Sequence, residues 1–129
     1  MLRDLALAAK AACSKEDQLL LTPLVIQLKE LAEKSKKSGI LSLETELSQI
    51  NDTFLKLGIQ LIIDKTDPAN MKDILDSDIY YNESNGRELL KKIIIREGLL
   101  RIQEGDTPRN VLVCTKIFLG KVDNDTWKN

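Results

Sequence analysis

Histidine is absent from this 129-residue chain, which removes imidazole acid/base catalysis, Cys-His nucleophiles and His-containing zinc sites. The two cysteines, Cys13 and Cys114, have no cysteine near them in sequence, so zinc-finger spacing is excluded and both thiols are read as reduced and structural. Aromatic residues are few, two Phe, two Tyr and one Trp, and leucine and isoleucine must therefore build the core. Long hydrophobic runs are missing: Leu19-Leu20-Leu21 and Ile93-Ile94-Ile95 fall far short of the about 20 apolar residues that cross a bilayer. Met1 to Lys15 contains Asp4 and lacks the basic head, apolar stretch and cleavage site of a signal peptide. No direct membrane insertion is expected. Nor does one charge dominate: 19 basic residues against 20 acidic ones leave a net charge of −1, which offers no global field to nucleic acid or an anionic membrane. The six glycines form neither a phosphate-binding loop nor a dinucleotide fingerprint, and no cofactor is implied.

What is present is helical punctuation. With 43% apolar and 30% charged residues, the chain suits one soluble globular domain. Ala and Leu from Leu2 to Cys13 predict a first helix, and Ser14 before Glu16 and Asp17 predicts the cap of a second. Thr22-Pro23, Thr66-Asp67-Pro68 and Asp106-Thr107-Pro108 each read as a capping residue followed by proline in the first turn. Leu24, Leu28 and Leu31 are expected to line the third helix, which ends or kinks at Gly39 before Ile40 to Ile50. Asn51-Asp52 caps the next, with Phe54, Leu57 and Leu61 on its inner face; Ile59 to Ile63 is read as helix in preference to a buried strand. Met71, Ile74 and Leu75 give the following helix its apolar edge. Tyr80 to Gly86 is polar and predicts a loop, Arg87 to Gln103 another helix, and a last one reaches about Leu119. The fold class is all-α, a compact bundle of about six short helices.

Charge is local. Asp64 to Glu88 carries seven acids and three bases, and Leu89 to Lys121 seven bases and three acids, so these segments either attract each other or face a partner. Asp73, Asp76 and Asp78 lack the glycine turn and terminal glutamate of a calcium loop, and no metal site is assigned. Lys34, Lys36 and Lys37 precede Glu44 and Glu46 by two to three helical turns, too far for an intrahelical pair between Lys36 and Glu44. Each charge is therefore expected to be free for another molecule, against the plainer reading of a solvated helix face. Arg109 is a candidate to meet an acid of the earlier segment.

Three stretches carry a resemblance. Leu31-Ala32-Glu33-Lys34-Ser35-Lys36-Lys37-Ser38-Gly39-Ile40-Leu41-Ser42-Leu43-Glu44 is similar to the segment after the second membrane helix of flagellar motor stator subunits of the MotA/PomA family. Phe54-Leu55-Lys56-Leu57-Gly58-Ile59-Gln60-Leu61-Ile62-Ile63-Asp64-Lys65-Thr66-Asp67-Pro68 resembles that family's stretch ending Asp-Gly-Thr-Asp-Pro, with Lys65 where glycine is usual. Ile93 through Arg109, ending Gln103-Glu104-Gly105-Asp106-Thr107-Pro108-Arg109, resembles the tail after the fourth membrane helix. The resemblance thus implies a loop-like part at 1–79, a join at 80–88 where two membrane helices are missing, a tail-like part at 89–119 and a flexible tail at 120–129. An engineered excision or a natural truncation produces that arrangement, and the engineered one is preferred.

By this resemblance Lys36 is a basic and Glu44 an acidic residue that meets the rotor switch protein FliG, with Lys34, Lys37 and Glu46 beside them. Ser38 departs from the glutamate common before the glycine, and lysine at 36 replaces the arginine of some members, keeping the charge but losing the planar fork. The implied parent lies at the cytoplasmic face of the bacterial inner membrane with a MotB-type partner, transmitting torque. This chain, without the membrane helices, conducts no ion and is expected to be soluble and cytoplasmic. The competing readings are a helical adaptor derived from a stator protein and, with no motif to support it, a small enzyme.

Overall fold

Capping chemistry decides where most of the helices begin. A computed structural model describes residues 5–120, and among them are seven α-helices, two 3-10 segments and no strand. The α-helices are α1 (Leu5–Lys10), α2 (Lys15–Leu19), α3 (Thr22–Ser38), α4 (Thr53–Ile63), α5 (Pro68–Tyr81), α6 (Gly86–Gln103) and α7 (Pro108–Lys116). The 3-10 segments are Ile40–Gln49 and Ile117–Leu119. Ser14, Asp52, Asp67 and Thr107 each accept the backbone N–H three residues on, at 2.9 to 3.2 Å, satisfying amides that a helix start leaves without a partner. The all-α expectation holds.

Several local readings are corrected. Thr22 is not a cap: α2 runs into α3 with only Leu20 and Leu21 between them, Leu21 takes the capping position, and the buried Thr22 hydroxyl has no hydrogen-bond partner among the described residues. On α4 the buried residues are Phe54, Leu55, Gly58, Ile59 and Ile62, with Leu57 and Leu61 only partly buried. The helix is apolar on nearly every side, so leucine spacing did not single out the inner face; Gly58 does. The loop expected from Tyr80 shrinks to residues 82–85, because α5 continues through Tyr81 and α6 starts at Gly86. On α5 it is Met71, Leu75 and Ile79 that are buried. The expectation for 121–129 lies outside the described residues.

α6 is the central helix. Leu89, Leu90, Ile93, Ile94, Ile95, Leu99 and Ile102 are buried on several of its sides, since α3, α4, α5 and α7 all pack against it. Two glycines set how closely. A methyl group at Gly58 of α4 would overlap the Leu99 side chain, and one at Gly98 of α6 would come within 2.9 Å of Leu28 on α3. Leu28 and Leu99 are both fully buried, in an interior as dense as an organic crystal that yields little.

The acidic and basic segments turn toward each other. Lys92 of α6 pairs with Asp78 of α5 at 2.8 Å, and Arg96 with Asp76 at 2.8 Å. Asp76 also accepts from Lys72, and the Lys92 ammonium lies 5.5 Å from the Phe54 ring centre. Much of the charge asymmetry seen in the sequence is therefore spent within the bundle, registering α5 on α6.

Candidate functional site

The lysine-rich end of α3 and the 3-10 segment after it form one charged edge, and Gly39 makes the corner. Gly39 has φ +86°, a value that side-chain-bearing residues rarely adopt, and its N–H closes α3 on the Ser35 carbonyl at 2.9 Å. Beyond it, hydroxyls tighten the chain. Ser42 Oγ donates to the Gly39 carbonyl at 2.5 Å, and Thr45 Oγ1 to the Ser42 carbonyl at 3.0 Å. Such side-chain-to-backbone bonds compete with the α-helical ladder. Leu43, fully buried, pins the segment, and Ile40 and Leu47 pack against the core.

Ion pairs fasten the second half of the segment and the turn that follows it. Lys34 Nζ donates to Glu46 at 2.9 Å and to Thr45 Oγ1 at 2.6 Å. Past the segment, Asp52, which caps α4, binds Lys91 of α6 at 2.9 Å. Burial acts to raise the Asp52 carboxyl, but the hydrogen bonds from Lys91 and from the Leu55 amide outweigh it and hold the group below its ordinary value. Burial acts to lower the Lys91 ammonium, and its bonds to Asp52 and Glu88 reverse that, leaving it raised.

The five charges singled out from the sequence therefore divide. Lys34 and Glu46, expected to be free, are instead joined to each other; the chain turns at Gly39, and so residues 12 apart meet. Lys36, Lys37 and Glu44 are exposed. None of the three has an ion pair or side-chain hydrogen bond among the described residues. Lys36 and Lys37 fall in the last turn of α3, where the helix dipole favours cations. Arg109 is likewise exposed, without an ion pair among the described residues. One feature escaped the sequence reading. Leu41, which appears there only within the stretch that carries the resemblance, is 63% exposed.

This edge presents separated cations and an anion on a braced backbone. A groove of about 740 Å³ elsewhere, between α1, α5 and α6, gathers carboxylates. There Asp76 is held by Lys72 and Arg96, and Glu97 by Arg101 at 3.4 Å. No helix among the described residues is long and apolar enough to cross a membrane, and no group of three or more potential metal ligands occurs among them.

No family model and no solved structure matches this chain. Curated proteins do match in part. Motility protein A of Borreliella burgdorferi is 50% identical over 48 residues, 37% of this chain and 18% of that protein. Motility protein A of Treponema pallidum is 33% identical over 60 residues, 46% of this chain and 23% of that protein. An uncharacterized protein of Bacillus subtilis, YtxD, is 36% identical over 58 residues, 45% of this chain and 21% of its own length. The chain thus spans about a fifth of the curated relatives it matches. Over somewhat less than half of its residues, these matches support kinship with the MotA family.

Proposed function

We propose that this chain is a stator-related cytoplasmic domain that meets the rotor protein FliG through Lys36, Lys37 and Glu44. Lys34 and Glu46, bonded to each other, brace the edge that presents them. The observation carrying this reading is that Lys36 and Glu44, the two positions the family resemblance selects, are both exposed and without an ionic partner among the described residues. Charges with no ionic partner among the described residues are available to steer and register another molecule. The partial kinship with Motility protein A supports the same role.

On this reading the parent acts at the cytoplasmic face of the bacterial inner membrane beside a MotB-type partner. The missing membrane helices belong between the loop-like part, 1–79, and the tail-like part, 89–119. Torque passes through complementary charges, and this chain alone conducts no ion. The test is charge reversal at positions 36 and 44 in a full-length stator. Motility should fall, and opposite charges on FliG should restore it. Motility indifferent to both reversals would remove the assigned role.

A further inference from the structure

We infer that Leu41 is the apolar anchor of this charged edge, and that it fits a partner surface with an apolar pocket flanked by a carboxylate on one side and a cation on the other. The inference rests on the docking role proposed above and names the chemistry of the surface it requires.

A solitary exposed leucine needs no explanation. Leu41 is distinguished by its surroundings. It is 63% exposed within a segment whose Leu43 is fully buried and whose Ile40 and Leu47 pack on the core. Side chains three residues apart eclipse one another in a 3-10 helix, with a rise of about 2 Å per residue. Leu41 and the exposed Glu44 consequently stand on one ridge, about 6 Å apart along the axis. In the other direction the exposed Lys37 lies just across the Gly39 corner. Along the chain, an open apolar side chain thus falls between cations and an anion.

The setting is also rigid. The Ser42 and Thr45 hydroxyls bond to the backbone, and Lys34 clamps Thr45 and Glu46. An anchor on a braced segment loses little conformational freedom when it docks. The buried centre of an interface is apolar and depleted of charge and a few residues there carry most of the binding energy, leucine less often than Trp, Tyr or Arg, while the charged rim sets encounter and register. Charge complementarity fixes the partner's side: its carboxylate meets Lys36 and Lys37, its cation meets Glu44, and its pocket takes the leucine.

Dissociation of the full chain from FliG, followed with Leu41→Ala, tests this. Because the side chain is exposed, thermal unfolding of the variant should match the parent and serves as the control. The dissociation rate should rise about tenfold, the size of effect that marks an energetically important interface side chain, while the association rate and its salt dependence stay within about twofold. Lys36→Glu should do the reverse, slowing association. If Leu41→Ala dissociates like the parent while the charge variants lose binding, the anchor is overturned and the docking role stands. If the parent chain does not bind FliG, both fall. If Leu41→Ala abolishes self-association of the chain and leaves FliG binding unchanged, the leucine belongs to a contact between copies and the proposal is overturned.

Discussion

Lys34 and Glu46 meet at 2.9 Å across the corner at Gly39, and the same ammonium bonds Thr45 at 2.6 Å. Both side chains are about one-third exposed, so the pair stabilises the fold by only about 0.5–1 kcal/mol. Its larger effect is local. Glu46→Gln should leave global stability within about 1 kcal/mol of the parent and speed amide hydrogen exchange across 40–49, with little change in α6. Unchanged exchange in that segment would show that the hydroxyl bonds and Leu43 suffice to hold it.

Lys65 is the only described residue other than glycine with positive φ, +59°. Its N–H bonds the Ile62 carbonyl and that of Thr66 the Leu61 carbonyl, both at 3.0 Å, a helix-ending turn that favours glycine. The same pair of bonds ends α6, where Gly105 and Asp106 donate to Ile102 and Arg101. Gln103 ties the two turns together by donating to the Thr66 carbonyl at 2.5 Å. Lys65→Gly should raise stability by about 0.5–1 kcal/mol, the relief of left-handed strain less the added freedom of the unfolded chain. Urea unfolding midpoints would show it; a lower midpoint would mean that the lysine side chain contributes more than its backbone costs.

The pairing of Asp52 with Lys91 sets a pH dependence at both extremes. The folded Asp52 carboxyl lies below its ordinary value of 3.8, so its contribution is present above that pH and is lost as pH falls through the folded value. Lys91 is raised above 10.5, so its contribution is complete below that pH and is lost as pH rises through the folded value. Asp52→Ala removes a cap as well as a charge partner and should cost about 1–2 kcal/mol at neutral pH. The parent's advantage over the variant should shrink below about pH 4. A difference constant from pH 2 to 7 would assign the loss to packing.

Gly58→Ala should destabilise by about 1–3 kcal/mol, since the added methyl meets the fully buried Leu99 and overpacking outweighs the helix-propensity gain of about 1 kcal/mol. Gly58→Ala with Leu99→Val should recover part of that loss. Thermal melts of the two variants and the parent decide it, and no recovery would place the conflict elsewhere on the α4–α6 contact.

These cases mark how far the sequence could be read. Asp52, Asp67 and Thr107 were legible because capping depends on a side chain and an amide three residues away, entirely local facts. Thr22 showed the same pattern and failed, because the turn between α2 and α3 was too short to spare it for capping. The inner face of α4 was hidden by leucine and isoleucine all round the helix, and only the position of Gly58 pointed to the true one. The charged edge was legible as composition but not as geometry. Whether Lys34 reaches Glu46 depends on the path of the chain after Gly39, and the exposure of Leu41 depends on which side of the 3-10 segment Leu43 commits to the core.

The central claim, that Lys36 and Glu44 meet a charged partner, is tested most directly by binding of the full chain to FliG between about 0.1 M and about 1 M salt, which shortens the screening length from about 10 Å to about 3 Å. Affinity should fall across that range. Lys36→Gln with Glu44→Gln should both weaken binding at low salt and flatten the dependence. Binding that is indifferent to salt and survives the double neutralisation unchanged would contradict the account.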